Sequence, residues 1–181
     1  AAAHKMLSME QVRLVLSRLE VEEARVGREV PGSFLFMFLS MSGMRISEAL
    51  SLDFHDPARD GQADYANTLR LQPDGRYVVR VVGKSNRLRE VQLSSELSES
   101  ITRRFPPGSA VPGAPVFTTH GGRHTRLTRH GAHWEAKQIA RRFMQDLPGG
   151  LAKRFAWHHL RHGLCNHLLC TVGVHPSHVA R

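Results

Sequence analysis

Apolar residues recur along the first third of the chain with the spacing of α-helices. An amphipathic helix is predicted over residues 8–24, with Ser8 as its N-cap, because the apolar positions fall three or four residues apart. These positions are Val12, Val15, Leu16 and Leu19. Residues 33–42 are almost wholly apolar and predict a central buried helix that ends at Gly43. A further short helix is expected to begin close to Arg45.

The middle of the chain changes to the pattern of β-strands. Residues 76–82 and 88–94 flank a Gly-Lys-Ser-Asn sequence that is typical of a tight turn, so they predict a hairpin. Residues 67–72 are expected to add a third antiparallel strand. Further helices are predicted over residues 94–105, 131–144 and 157–170.

These elements predict an α+β fold that is mostly helical and carries a small three-stranded antiparallel sheet. We expect residues 7–181 to form one domain. Residues 1–6 are expected to be a cloning remnant or a disordered start.

The charge of the chain narrows the choice of partner. The formal net charge is +9 and the isoelectric point is about 10.7, which favours a polyanion, with nucleic acid ahead of an acidic membrane surface. The longest strongly apolar run, residues 34–39, is far shorter than the ~20 residues that a membrane span needs. No signal peptide pattern precedes it. We therefore predict a cytoplasmic protein that is associated with DNA and not with a membrane.

Arg45 and Lys84 are two cations in unusual places. Glu48 follows Arg45 at helical spacing, so one interpretation is a local surface ion pair that contributes little to stability. The other is a rigid arginine that grips an anionic oxygen, since its fork of N–H donors suits phosphate. Lys84, at the predicted hairpin tip, is either a solvated turn residue or a flexible ammonium that supplies a proton.

Residues 157–169, WHHLRHGLCNHLL, place His158, Arg161 and His162 on one face of a predicted helix. The histidines are either satisfied core residues or functional groups. Zinc is a third alternative, because histidines four apart can chelate it. The metalloprotease pattern needs a glutamate after the first histidine, and here His159 stands in that position. An arginine between the two candidate ligands also repels a cation, so no metal is expected.

Three segments in order resemble the catalytic domain of the tyrosine recombinase (phage integrase) family. SGMRISEALSL (residues 42–52) resembles the first arginine box, and VVGKSNRLREVQLS (residues 81–94) resembles the hairpin that carries the family's lysine. WHHLRHGLCNHLL resembles the H-x-L-R-H box, and Pro-Val-Phe at 115–117 fits the segment ahead of it. The resemblance spans the chain from about residue 7 to its end.

The resemblance implies phosphoryl transfer on double-stranded DNA without a metal or another cofactor. Arg45 and Arg161 would hold the non-bridging oxygens of the scissile phosphate, and Lys84 would protonate the departing 5′-oxygen. His158 would assist proton transfer at the nucleophile. Glu48 and His162 would orient these groups. The implied reaction is site-specific recombination or integration through a 3′-phosphotyrosyl intermediate, carried out by a homo-oligomer on DNA.

The family's nucleophile has no counterpart here. Tyr65 and Tyr77 are the only tyrosines in the sequence, and neither is in the family's position. We therefore expect the chain to be truncated at its C-terminus, or else to be a naturally degenerate relative, and not to cleave DNA by itself. A nucleophile donated by another chain is a further alternative.

DNA binding without cleavage is the second function class. Many cations offer phosphate contacts, and about half of them are expected to be merely solvated. They are Arg87, Arg89, Arg123, Arg126, Arg129, Lys137, Arg141 and Arg142. Among them, Lys137, Arg141 and Arg142 lie at neighbouring positions of one predicted helix, which we expect to face a DNA groove.

Overall fold

The computed structural model describes residues 6–62, 65–83, 87–119 and 125–175, which divide into two compact units. The first unit combines residues 1–45 with 130–181, and the second holds residues 46–129. The helices are α1 (Met9–Val26), α2 (Ser33–Ser42), α3 (Ile46–Leu50), α4 (Ser95–Arg104), α5 (Arg129–Phe143), α6 (Leu151–Arg154) and α7 (His158–Asn166). The strands are β1 (Asp53–Phe54), β2 (Thr68–Leu71), β3 (Tyr77–Val82) and β4 (Leu88–Gln92).

The helix α1 begins at the predicted cap. The Ser8 hydroxyl accepts the Gln11 N–H at 3.2 Å, and the Gln11 side chain accepts the Ser8 N–H at 2.9 Å. This reciprocal pair is a capping box, which satisfies two amide donors that the first turn would otherwise leave unpaired. The apolar face of α1 is buried as expected at Val12, Val15 and Leu19.

The helix α2 forms the centre of the first unit. Phe36 and Phe38 are fully buried, and most of the other α2 side chains are buried as well. The helix ends at Gly43, whose φ of +64° is a left-handed conformation that a side chain disfavours. Both the buried helix and its predicted end are confirmed.

The second unit contains a four-stranded sheet in the order β1-β2-β3-β4. The strands β2, β3 and β4 pair antiparallel, which confirms the three predicted strands. The additional strand β1 pairs parallel with β2 over only two residues and makes the sheet mixed. Leu69, Val79 and Val81 form the buried face of the sheet. The Ser98 hydroxyl of α4 accepts the Tyr77 N–H at 3.0 Å and so links α4 to β3.

The last predicted helix has two parts. The helix α7 is α-helical to Asn166, and the chain continues as a π-helix over His167–Val172 before Gly173 ends it. None of the helices in the described ranges combines the length and apolar composition that a membrane crossing requires.

Candidate active site

A hydrogen bond joins the two arginine-bearing segments of the first unit. Arg161, half-buried on α7, donates an N–H of its guanidinium to the carbonyl oxygen of Gly43. Gly43 ends α2 and stands two residues before Arg45, whose side chain is exposed. The sequence separates these partners by 118 positions. The fold therefore brings the H-x-L-R-H segment to the start of the first arginine box.

The helix α7 packs closely on its neighbours at two glycines. A Cβ atom built on Gly43 would lie 3.0 Å from Leu164 Cδ2, and one built on Gly163 would lie 2.4 Å from the Leu7 carbonyl oxygen. The second distance is shorter than any real contact of a Cβ atom. Glycine at 163 is therefore required for α7 to lie at this distance from the chain ahead of α1.

Aromatic residues fix the start of α7. Trp157 is buried and donates its indole N–H to the Ala132 carbonyl oxygen at 2.8 Å, which ties the first turn of α7 to α5. The Trp157 ring also lies edge-on to Phe155 and to Phe36, with centroid distances of 5.6 and 6.5 Å. These contacts hold the residues that follow, His158 and Arg161, on a rigid support.

The histidines of α7 differ in their surroundings. His158 and His162 are exposed, with ring centroids 5.7 Å apart and planes nearly perpendicular. His159 is half-buried, and its Nδ1 accepts the Ala156 N–H at 3.2 Å. Burial lowers the pKa of His159, and the positive charges of His158, His162 and Arg154 lower it further. His159 thus closes the first turn as an acceptor, whereas His158 and His162 are exposed.

The structure gives no support to a zinc site in the part of the chain that it describes. Within those residues, no group of three or more histidine, cysteine, aspartate or glutamate side chains is arranged to hold a metal ion.

Glu48 is buried in the second unit, where its side chain is only 6% exposed. Its Oε2 accepts an N–H of Arg89 on β4 at 2.8 Å. The sequence offers a pair between Glu48 and Arg45 as one of two interpretations, and it does not predict the contact with Arg89, which lies 41 residues away. Lys84 lies outside the described residues, so its predicted role stays a prediction.

The predicted DNA contacts fall into two groups. Lys137 and Arg141 are exposed on α5, and Arg87 is exposed at the start of β4. Arg142, by contrast, forms an ion pair with Glu22 of α1 at 2.5 Å, and its guanidinium lies 5.0 Å from the Phe143 ring centroid. Sequence reasoning also missed Trp134, which is 51% exposed on α5 one turn before Lys137.

Two of the other cations serve the second unit internally. Arg126 donates to the Leu50 carbonyl oxygen at 2.8 Å and forms an ion pair with Asp53, and Arg89 is held by Glu48. The sequence left each of them open as a phosphate contact or a solvated charge, and the structure gives each a carboxylate partner. Arg123 lies outside the described residues.

Both tyrosines of the sequence are buried. Tyr65 is 4% exposed, and its hydroxyl accepts the Asp56 N–H. Tyr77 is 6% exposed in β3. Each therefore serves the core of the second unit.

Comparison with known proteins identifies the family. The sequence model described as "Phage integrase family" matches residues 5–179. This chain belongs to the phage integrase family. The search of curated proteins finds no match to the chain.

Solved structures with the same fold as this phage integrase family member include complexes of a site-specific recombinase and of a transposon integrase. The XerH site-specific recombinase bound to difH substrate, in a pre-cleavage complex, is 22% identical with a TM-score of 0.56, over 91% of this chain and 43% of that one. Its post-cleavage complex with palindromic difH substrate is 20% identical with a TM-score of 0.58, over 94% and 43% of the two chains.

The Tn1549 transposon integrase in complex with circular intermediate DNA is 17% identical with a TM-score of 0.58. The match covers 98% of this chain and 56% of that one. At these identities the likenesses show the fold alone. The chain thus spans about half the length of the recombinases that it matches. The predicted family and the predicted α+β fold class are both confirmed.

Proposed function

We propose that residues 7–181 act as the catalytic domain of a site-specific recombinase that cleaves and rejoins double-stranded DNA. The observation that carries this proposal is the hydrogen bond from Arg161 to the Gly43 carbonyl oxygen. It joins two family segments that are far apart in sequence, at the place where two guanidinium groups are expected to bind one phosphate. Family membership and the DNA complexes of the matched recombinases support the same substrate.

The proposed chemistry is an in-line phosphoryl transfer. A tyrosine oxygen attacks the scissile phosphorus, a bond to the 3′-phosphate forms, and the bond to the 5′-oxygen breaks. Arg45 and Arg161 stabilise the charge that develops on the non-bridging oxygens. His158 accepts the tyrosine proton, with His162 beside it, and Lys84 gives a proton to the departing 5′-oxygen.

Neither tyrosine of this sequence is suited to be the nucleophile in this proposal. Tyr65 and Tyr77 are both buried in the second unit, and Tyr65 is also hydrogen-bonded there. A tyrosine further along the gene product, in the same subunit or in a partner subunit of an oligomer on DNA, fits the proposal.

DNA binding without cleavage is the second candidate function. The exposed Lys137 and Arg141 favour DNA binding whether or not cleavage occurs. The two candidates differ at Arg161. A transition-state contact predicts a loss of cleavage rate far beyond the loss of affinity when Arg161 is replaced by alanine, whereas a binding contact alone changes only affinity.

The test is a covalent adduct assay with the full-length gene product. The protein is incubated with duplex DNA that carries its candidate sites and a nick that traps the cleaved state, and adducts that survive SDS are measured. We expect an adduct from the full-length protein, none from the 181-residue chain and none from the Arg161→Ala variant. Salt-sensitive binding without any adduct would instead establish the non-catalytic candidate.

A further inference from the structure

A charged residue occupies the core-facing side of the sheet in the second unit. In the antiparallel register, Arg89 stands opposite Val81, which is fully buried. Directly opposed residues point to the same face of a sheet, so Arg89 shares the face of Val81. An arginine on the buried face requires a partner that offsets the loss of hydration.

Glu48 is that partner. Its carboxylate Oε2 lies 2.8 Å from an Arg89 nitrogen, and the two side chains are 6% and 24% exposed. The pair joins β4 to α3, the helix that follows Arg45 directly in the chain. A pair this well shielded from water is screened little by salt, and removing Glu48 takes a carboxylate away from the buried charge of Arg89.

The second carboxylate oxygen of Glu48 lies at the base of the hairpin. A Cβ atom built on Gly83 would lie 4.0 Å from Glu48 Oε1 and 3.8 Å from the Arg87 carbonyl oxygen. The same carbonyl oxygen accepts the Gly83 N–H at 3.0 Å, which closes the base of the hairpin. Glu48 therefore holds β4 through Arg89 and borders Gly83, the residue immediately before Lys84.

We propose that Arg89, through its ion pair with Glu48, is a positioning residue for the lysine-bearing hairpin in DNA cleavage. The inference rests on the proposed function, in which Lys84 protonates the leaving 5′-oxygen. The pair fixes where the hairpin leaves the sheet relative to α3. Loss of the pair should impair leaving-group protonation more than phosphate binding.

A substrate with a sulfur leaving group distinguishes a defect in leaving-group protonation from a general loss of active-site structure. A DNA strand with sulfur in place of the scissile 5′-oxygen departs as a thiolate, which needs no proton because a thiol has a pKa near 8.5. The tyrosine–phosphorus bond forms and the phosphorus–sulfur bond breaks, with no proton required on the sulfur. A defect confined to general-acid catalysis is therefore rescued by this substrate, and a defect in transition-state charge stabilisation is not.

The experiment compares SDS-resistant adduct rates of the full-length gene product on the oxygen and sulfur substrates. For Arg89→Gln and for Glu48→Gln we expect at least about a tenfold loss on oxygen, within the 10²–10⁴-fold range of general acid catalysis, and rates within about threefold of wild type on sulfur. In a Glu48→Gln background, Arg89→Gln should cause little further loss, because that background has already lost the pair. Lys84→Ala should show the same rescue, and Arg161→Ala should not.

A matched control is available on the turn just before β3. Arg76 forms an ion pair with Asp74 at 2.8 Å on an exposed turn, so Arg76→Gln removes an arginine of similar size without touching the hairpin base. It should leave both rates unchanged. Arg89→Lys keeps a cation beside Glu48, and it should show a smaller defect with the same rescue if Arg89→Gln fails to fold.

The outcomes separate this inference from the proposed function. Wild-type adducts together with equal losses on oxygen and sulfur for the Arg89 variants would overturn the positioning role and leave the recombinase function standing. An unimpaired rate on oxygen for Arg89→Gln would do the same. No wild-type adduct on either substrate would overturn the proposed function and the inference with it.

Discussion

Gly43 combines a backbone constraint with a contact to the candidate site. Its φ of +64° is left-handed, and its carbonyl oxygen accepts the Arg161 hydrogen bond. Gly27 ends α1 with almost the same conformation, at φ +66°, but no atom lies within 4 Å of a Cβ built there. Substitutions at the two glycines therefore distinguish the free-energy cost of a left-handed side-chain residue from the cost of crowding by neighbouring atoms.

We predict that Gly43→Ala destabilises the protein more than Gly27→Ala does. Both variants pay about 1 kcal/mol for a left-handed alanine. At Gly43 the new methyl group also meets Leu164 Cδ2 at 3.0 Å, which adds on the order of 1 kcal/mol. Urea unfolding of both variants measures the difference in the free energy of unfolding. Equal losses would show that Leu164 moves aside without cost.

Glu135 gives a pH dependence that belongs to a single residue. It is 5% exposed on α5, and burial raises its pKa to about 7. In the unfolded chain the pKa of the Glu135 carboxyl is near 4.5. Between pH 4.5 and pH 7 the unfolded chain therefore loses the carboxyl proton, while the folded chain keeps it. The contribution of Glu135 to the free energy of unfolding is therefore largest below pH 4.5, and it is lost as the pH rises to about 7.

We predict that Glu135→Gln is more stable than wild type at pH 8 and close to it at pH 4.5. A shift of this size corresponds to a difference on the order of 3 kcal/mol. Urea unfolding at the two pH values measures the difference between the variant and the wild type, so that other titrating groups cancel. A difference that does not change with pH would show that Glu135 is ionised in the folded protein at no cost.

At the scale of elements, the packing of α7 depends on Gly163. A Cβ atom there would lie 2.4 Å from the backbone oxygen of Leu7, and a backbone atom cannot move aside as a flexible side chain can. We predict that Gly163→Ala costs about 3 kcal/mol. The control is Asn166→Ala, at an exposed position of the same helix, which should change stability by about 0.5 kcal/mol or less. Thermal or urea unfolding of both variants measures the two costs, and similar values would show that α7 shifts freely.

The elements that the sequence predicted are those determined by local interactions. The Ser8 cap, the apolar spacing of α1 and the end of α2 at Gly43 all depend on neighbouring residues. The strand β1 was missed because two residues show no alternation and form a strand only through pairing with β2. The π-helix after Asn166 was missed because its apolar spacing does not differ from that of an α-helix.

The candidate site was predictable only in part for the same reason. Motif spacing singled out Arg45, Arg161 and His158, but the partner of Arg161 is a carbonyl group 118 residues away. One partner of Glu48 is Arg89, which only the register of β3 and β4 places on the buried face. Long-range pairing of this kind leaves no local trace in the sequence.

At the scale of the whole molecule, the net charge of +9, from 25 lysines and arginines against 16 acidic residues, does not say which cations are available to DNA. Arg89, Arg126 and Arg142 each form an ion pair with a carboxylate. Lys137 and Arg141 are exposed four residues apart on α5, the spacing of one helical face. The cations best placed to contact a phosphate are therefore expected to be those without a carboxylate partner among the described residues, and the total charge does not identify them.

We predict that Lys137→Ala and Arg141→Ala each weaken binding of the 181-residue chain to duplex DNA and each reduce the salt dependence of log Kd by about one unit of slope. Fluorescence anisotropy over a series of salt concentrations measures this slope. Arg142→Ala is the matched control on the same helix, because Arg142 is already paired with Glu22. Its slope should stay close to that of the wild type. If Arg142→Ala lowers the slope as much as the other two variants do, the ion pair between Arg142 and Glu22 opens when DNA binds. The DNA-binding face of α5 would then extend towards α1.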